Sequence, residues 1–398
     1  MKKLCIFVLA VFCLASCQWF GHDGKDRQAV LVYFAGNNNL SAEGESDLSD
    51  ITSSWLPSAQ DKEQILMVYY HFQDKAPVLS RFYRNRQGVA VEDVIKTYPT
   101  STNSASASTM ETIIADAEKA YPAERHGMVL WSHGTGFLPR GYFSNPKELV
   151  PGKPATLGSE PDPFAGMVKA DESKSFGLDG SSELDITDLR NALSPYHYDF
   201  LIFDCCLMAN IELAFELRNT CDYLLFSPTE ILSDGFPYGQ MMQPLFSMKP
   251  EAALKDIAGN YMAHYRSQSG MYCSATITLV STAGLEHLAA SCRPIFQNHQ
   301  SQILSLDRSR IQPYFRFDKH WFYDLDDFIR NVADDSEYAD FAGALDDSVI
   351  FKDTTESFLT IDIRHYSGLS IYIPRAEYTV LNNFYKTLEW NKATGLVQ

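Results

Sequence analysis

Short apolar runs, each closed by turn residues, alternate with helix-period segments along the first two thirds of the chain. Ala29–Phe34 is one such run and stops at Gly36-Asn37-Asn38-Asn39, residue types that tolerate the backbone angles of a tight turn. Ile65–Phe72 reads as a second strand, and residues 40–56 between them as the crossover helix that parallel neighbours require. Arg81–Arg86 and Val89–Val94 predict an antiparallel hairpin turning at Gln87-Gly88. Met110–Tyr121 predicts a helix capped by Ser108 or Thr109, and Gly127–Trp131 a third buried strand. After an irregular stretch, Phe137–Phe176, the alternation resumes: helix over Glu183–Leu193, strand over Asp199–Phe203, helix over Ile211–Leu217. Ser274–Val280 predicts a further strand, residues 285–345 are mostly helical, and Gly368–Ile373 reads as a late strand stopped by Pro374. Strand–helix alternation of this kind predicts a mainly parallel sheet with helices on both faces.

The N-terminus follows a different logic. Lys2 and Lys3, the apolar Leu4–Phe12 and the small-residue segment Leu14-Ala15-Ser16-Cys17 predict a secretory leader over residues 1–16. Its end resembles a bacterial lipobox, which implies cleavage before Cys17, a lipid on that thiol and a polar tether over residues 17–28. An ordinary leader that happens to contain a cysteine is the plainer alternative. The apolar run is shorter than the roughly 18 residues a spanning helix needs. The expected location is therefore the bacterial cell envelope, periplasmic or surface-exposed, with the membrane reached only through the lipid.

Composition narrows the possibilities. A chain of 398 residues, 45% hydrophobic, can bury a substantial core. Net charge is −17, or −19 once Lys2 and Lys3 leave, and there is no basic stripe. Nucleic acid is thereby excluded as a partner, and a cationic guest is favoured. Beyond the leader and Cys17 the cysteines are Cys205, Cys206, Cys221, Cys273 and Cys292, an odd set without regular spacing, so at least one thiol is free. No CxxC pair and no histidine cluster is present, so neither a metal nor a cofactor is expected.

Two strand ends carry the candidate chemistry. One is Trp131-Ser132-His133-Gly134-Thr135-Gly136, the other Phe203-Asp204-Cys205-Cys206-Leu207-Met208. Open α/β sheets bind ligands at the carboxyl ends of their strands, and a thiol with an imidazole there suits acyl transfer by a cysteine nucleophile. Taken singly, a buried cysteine usually packs and a lone histidine is usually a satisfied core residue; it is their joint placement that points to catalysis. The N–H groups of Gly134 and Cys206 are candidate oxyanion donors, and a helix beginning just after Cys206 would favour the thiolate.

These motifs resemble the clostripain family of cysteine peptidases, relatives of caspases, legumains and gingipains. The family's His-Gly motif is matched by Trp131–Gly136, and its Asp-x-Cys-Leu-Met motif by Asp204–Met208. Tyr33–Leu40, Leu184–Leu193, Asp324–Phe328 and Gly368–Pro374 agree in order, so the resemblance runs from about residue 29 to 375. It implies a caspase-like αβα sandwich over residues 29–280, completed by a largely helical region over 281–398. The implied activity is that of a cysteine endopeptidase cleaving peptide or protein substrates through a thioester acyl-enzyme. In that register His133 and Cys206 are catalytic, Cys205 packs, Gly134 and Cys206 hold the oxyanion, and Asp204 selects Arg or Lys before the cleaved bond. A carboxylate facing a guanidinium is a strong, directional pairing. A helix N-cap is the alternative role for Asp204.

Some residues depart from the family pattern. Asn37 stands where relatives commonly have Asp, Thr135 where many have Gly, and Ser227–Gly235 follows the family's acidic loop only loosely. No third residue orienting the imidazole is expected. Some relatives respond to calcium, but Asp324, Asp326 and Asp327 lack calcium-loop spacing. The alternative function is a catalytically silent, caspase-like surface lipoprotein that binds peptides or protein partners. Finally, residues 138–176 carry Arg140, Lys147, Lys153, Lys169 and Lys174, so a peptidase with basic preference meets candidate self-cleavage sites in its own chain.

Overall fold

The computed structural model describes residues 27–143, 176–180, 182–315 and 321–398. The leader, Cys17 and most of the 138–176 stretch, with Lys147, Lys153, Lys169 and Lys174, lie outside the described residues. In chain order the first elements are β1 (Gln28–Gly36), α1 (Ser41–Ser53), β2 (Gln64–Phe72), β3 (Val78–Arg84), β4 (Ala90–Thr97), α2 (Ala107–Ala120) and β5 (Arg125–Trp131). They are followed by β6 (Phe176–Asp179), β7 (Ser182–Leu184), α3 (Ile186–Leu193), β8 (Tyr198–Asp204), α4 (Ile211–Glu216), β9 (Cys221–Phe226), α5 (Tyr238–Met241) and α6 (Pro250–Arg266). Next come β10 (Thr276–Ser281), α7 (Leu285–Asn298), α8 (Gln300–Ser305), β11 (Tyr323–Asp324), α9 (Leu325–Arg330), α10 (Asp335–Ser348) and β12 (Val349–Thr354).

The central sheet has nine strands in the order β12-β10-β9-β8-β5-β1-β2-β3-β4. Its middle is parallel, β9-β8-β5-β1-β2. Both flanks are antiparallel: β3 and β4 beyond β2, β10 and β12 beyond β9. The expected strand over 274–280 is thus found at 276–281, but as an antiparallel strand. The segment after residue 281 supplies the edge strand β12.

Side-chain alternation explains why the middle is pinned. Along β1, Ala29, Leu31, Tyr33 and Ala35 join one core, while Val30, Val32 and Phe34 join the other. The first core packs under α2, α3, α4, α7 and α10, the second under α1, α5 and α6, which makes the αβα sandwich. A register slip of one residue would exchange the two sets. Each fully buried Val, Leu or Phe contributes about 1.5–3 kcal/mol, so every strand buried on both faces resists that exchange. Among the described residues no helix is long and apolar enough to cross a membrane.

Three local expectations are corrected. The helix expected from Glu183 starts at Ile186, because Ser182–Leu184 instead pairs as β7 with β6. The helix expected just after Cys206 starts only at Ile211. The late strand Gly368–Ile373 reduces to Ser370–Ile371, paired with β11.

Candidate active site

Four parallel strands end together at the carboxyl edge. From β1 comes the turn Asn37–Leu40, from β5 His133, from β8 Asp204 to Cys206, and from β9 the loop 227–236. In the β5–β8 register Trp131 faces Asp204, and the ladder continues one step, with the Ser132 N–H donating to the Asp204 carbonyl at 3.4 Å. His133 and Cys206 each lie two residues beyond that matched pair. The following residue, Gly134, sits against the cysteine backbone: a Cβ there would lie 2.6 Å from the Cys206 carbonyl and 2.9 Å from Cys205 Cβ and Met208 Sδ. Only glycine allows this approach.

The two thiols are told apart by the two-residue period of β8. Leu201, Phe203 and Cys205 fall in the same core. Cys205 is 2% exposed, with its thiol donating to the Leu130 carbonyl at 3.2 Å, and burial pushes its pKa well above the ordinary thiol value. A thiol held protonated in this way is a poor nucleophile. Cys206 is partly exposed. Its Sγ accepts from the Ile231 N–H at 3.3 Å and lies 3.7 Å from the Ile231 carbonyl, both in the loop after β9. Such a donor favours negative charge on sulfur.

Leu207, next in the chain, has φ of 61°, a conformation that is a genuine outlier for a bulky side chain. It is held by its N–H, which donates to the Thr229 carbonyl at 2.8 Å. This bend delays α4, so the thiol is not at a helix N-terminus and the expected dipole assistance is absent. The N-cap of α4 is Asn210, whose side chain accepts from the Leu213 N–H, so capping is not the role of Asp204.

The imidazole is better held than the sequence suggests. His133 is 4% exposed, and its Nε2 lies 2.7 Å from Asn39 Oδ1. With the amide oxygen accepting, the Nε2 proton is fixed toward Asn39 and Nδ1 becomes the basic nitrogen. Asn39 is thus an orienting residue that sequence reasoning missed; the only signal for it is its place in a three-asparagine turn at the end of β1.

Asp204 points into the second core, beneath the loop 227–236. Its Oδ2 accepts from the Phe236 N–H at 3.2 Å. Gly235, at φ of 58°, has no room for a Cβ, which would lie 2.7 Å from that oxygen. Burial pushes the Asp204 pKa up to about 6, only partly offset by the Phe236 N–H and the nearby Tyr238 hydroxyl. A second carboxyl, Asp47 on α1, accepts from Trp131 Nε1 at 2.8 Å, and its pKa is raised by burial and then by the charge of Asp204. No cationic side chain is paired with either acid among the described residues.

Asp324, Asp326 and His365 bring three possible metal-ligand atoms within 4.8 Å of one another. Their acceptors are already engaged. Asp324 accepts from Tyr314, Asp327 N–H and Ser367 N–H, and Asp326 from Arg330, Tyr338 and His365. Burial acts to raise the Asp326 pKa, but these donors outweigh it and bring it to about 2. The cluster is an ion-paired joint between α9 and the segment 365–367, with the Arg330 guanidinium already supplying the cation.

The sequence profile of the clostripain family matches residues 32–149 and 167–394. The chain belongs to the clostripain family. An inactive zymogen C11 protease from Parabacteroides distasonis is 32% identical, with a TM-score of 0.76 over 92% of this chain and 97% of that one. A secreted C11 cysteine protease from Bacteroides thetaiotaomicron, solved with an irreversible peptide inhibitor, is 27% identical, with a TM-score of 0.74 over 92% of this chain and 98% of that one. A further structure of a secreted C11 cysteine protease from the same organism is 23% identical, with a TM-score of 0.77 over 93% and 99%, and bears on the fold alone. A comparison with curated protein sequences finds no match. This clostripain-family chain is a cysteine peptidase with a caspase-like fold, as its motifs led one to expect.

Proposed function

We propose that this clostripain-family peptidase cleaves after Arg or Lys through a thioester on Cys206. The thiolate attacks the peptide carbonyl, and His133, oriented by Asn39, passes a proton to the leaving amine. The N–H groups of Gly134 and Cys206 hold the oxyanion, and Asp204 receives the basic side chain. The observation that carries this reading is the convergence of His133-Gly134 and Cys206 on neighbouring strand ends, over a buried Asp204 that has no ion-pair partner among the described residues. The relative with a bound irreversible peptide inhibitor supports a peptide substrate.

We also propose self-cleavage within residues 138–176; the relative described as an inactive zymogen supports an activation step. In that window Arg140 is paired with Asp188 at 2.7 Å, while its N–H donates to Asp185. One experiment tests nucleophile and maturation together. Cys206→Ala abolishes peptide hydrolysis and leaves the chain intact by mass spectrometry, whereas Cys205→Ala retains most of the activity. Full activity in Cys206→Ala overturns the assignment; a fully active, uncut wild type excludes cleavage as a requirement. We also propose a lipid anchor on Cys17. Cys17→Ser would then move the protein from the membrane fraction to the soluble one, and an unchanged distribution would remove the anchor.

A further inference from the structure

The short hairpin β6–β7 is tied to the active-site strands by a set of hydrogen bonds that the proposed chemistry does not use. The Gly177 N–H donates to the carbonyl of His133 at 3.1 Å. The Leu178 N–H donates to Ser132 Oγ at 3.1 Å, and that hydroxyl donates in turn to the Ala35 carbonyl at 2.7 Å. Asn38 Nδ2 donates to the carbonyls of Leu178 and Ala35, at 2.8 and 3.0 Å. A strand of four residues therefore bridges the end of β1 to the main chain of the candidate catalytic histidine.

Asp179 closes this bridge. Its Oδ1 accepts from Asn37 Nδ2 at 2.7 Å. Its Oδ2 accepts from the Ser104 N–H at 2.7 Å and lies 2.9 Å from His71 Nδ1, at the end of β2. Ser104 is itself fixed, by Tyr69 through its hydroxyl and by Tyr33 through its carbonyl. Both Asp179 and His71 are buried. Burial acts to raise the Asp179 pKa, but the donors from His71, Ser104 and Asn37 outweigh it and leave it below the usual carboxylate value. The asparagine turn is thus anchored at Asn37 by Asp179 and at Asn38 by Leu178, and it presents Asn39 to His133 Nε2 at 2.7 Å.

We propose that Asp179 is a positioning residue: by locking the Asn37–Asn39 turn to His71 and Ser104, it fixes the imidazole of His133 for proton transfer. This rests on the peptidase reading above. It also gives Asn37 a role. Beside Asp179 an acid at 37 would set carboxylate against carboxylate, whereas the asparagine donates. In Asp179→Ala the acceptors for Asn37, Ser104 and His71 are lost and the turn loosens. In Asp179→Asn the amide oxygen still accepts from Ser104, and the NH2 can donate to an Asn37 amide turned over.

The test is steady-state hydrolysis of a lysyl or arginyl peptide substrate, with active sites counted by an irreversible electrophilic peptide and melting temperature measured in parallel. Asp179→Ala should lower kcat by about 10- to 100-fold per titrated site, the scale of misplaced catalytic geometry, with KM changed by less than about threefold. The conservative variant Asp179→Asn, which can still pair with Ser104 and Asn37, should retain at least about a third of wild-type kcat. A purely structural role predicts fewer titratable sites and a lower melting temperature at unchanged kcat per site, and that result overturns the proposal. So does an Asp179→Ala variant with normal kcat, or an Asp179→Asn variant no better than Asp179→Ala. Should the wild type itself fail to be titrated, the peptidase reading falls first, a failure distinct from any of these.

Discussion

Asp179 and Asp204 are both buried carboxylates beside the strand ends that carry His133 and Cys206, yet they are surrounded in opposite ways. Asp179 accepts from an amide, an imidazole and a main-chain N–H, and its pKa lies below the ordinary value. Asp204 accepts one main-chain bond at 3.2 Å, and burial raises its pKa to about 6. An acid whose hydrogen-bonding capacity is met inside the fold acts as an anchor. An acid buried with little to neutralise it lacks a charge partner, and the proposed basic substrate side chain would supply one. On the proposed reading the same residue type serves structure on one side of the site and recognition on the other, and the surrounding donors decide which.

The strongest way to break this contrast is Asp204→Asn. Losing a buried charge partner should cost about 2–5 kcal/mol of preference for Arg or Lys over an uncharged isostere, read from kcat/KM on matched substrates. An active variant with unchanged selectivity would place recognition elsewhere.

A milder perturbation is pH. The folded pKa of Asp204 is raised, so the carboxyl is neutral below about 6 and charged above it. Preference for a lysyl substrate over its norleucyl analogue should grow as pH rises through about 6, and Asp204→Asn should flatten that rise. The stability sign is the opposite. Between the unfolded value near 3.8 and about 6, the native state binds the extra proton, so stability attributable to Asp204 falls as pH rises. Asp179, lowered on folding, contributes stability present above its unfolded pKa and lost as pH falls through its folded one.

Away from the site, Glu212 sharpens the same comparison with the smallest expected effect on activity. Its Oε1 accepts from Tyr372 N–H and Tyr385 hydroxyl, while its buried Oε2 has no partner, and burial raises its pKa to about 7. Stability should therefore decline by about 3 kcal/mol as pH rises from the unfolded value to about 7. Glu212→Gln should remove that decline in denaturant melts and leave kcat unchanged. A variant with the wild-type pH dependence would show that the carboxyl is not its source.

The parallel middle of the sheet is legible in the sequence because those strands are buried on both faces and read as unbroken apolar runs. Edge strand β12, Val349–Thr354, is only half-buried and carries no such run. The hairpin β6–β7 is invisible for a different reason, since its bonds go to segments distant in the chain. His133 and Cys206 are legible from their motifs. Asn39 and Asp179 are not, because their partners lie 94 and 142 residues away, and the asparagine turn that holds Asn39 is the one local sign of either. The adjacent thiols are a middle case: the motif register favours Cys206, and the two-residue period that buries Cys205 with Leu201 and Phe203 gives the physical reason.

The central claim is that Cys206 is the nucleophile beneath a pocket for a basic side chain. Its most direct test is to treat the wild-type protein with a lysyl peptide bearing an electrophilic ketone, digest it and locate the adduct by mass spectrometry. The account predicts one adduct per chain, on the Cys206 thiol, suppressed by His133→Ala and formed more slowly by the norleucyl analogue. An adduct on Cys205 or Cys273, or equal rates for the two peptides, would contradict it.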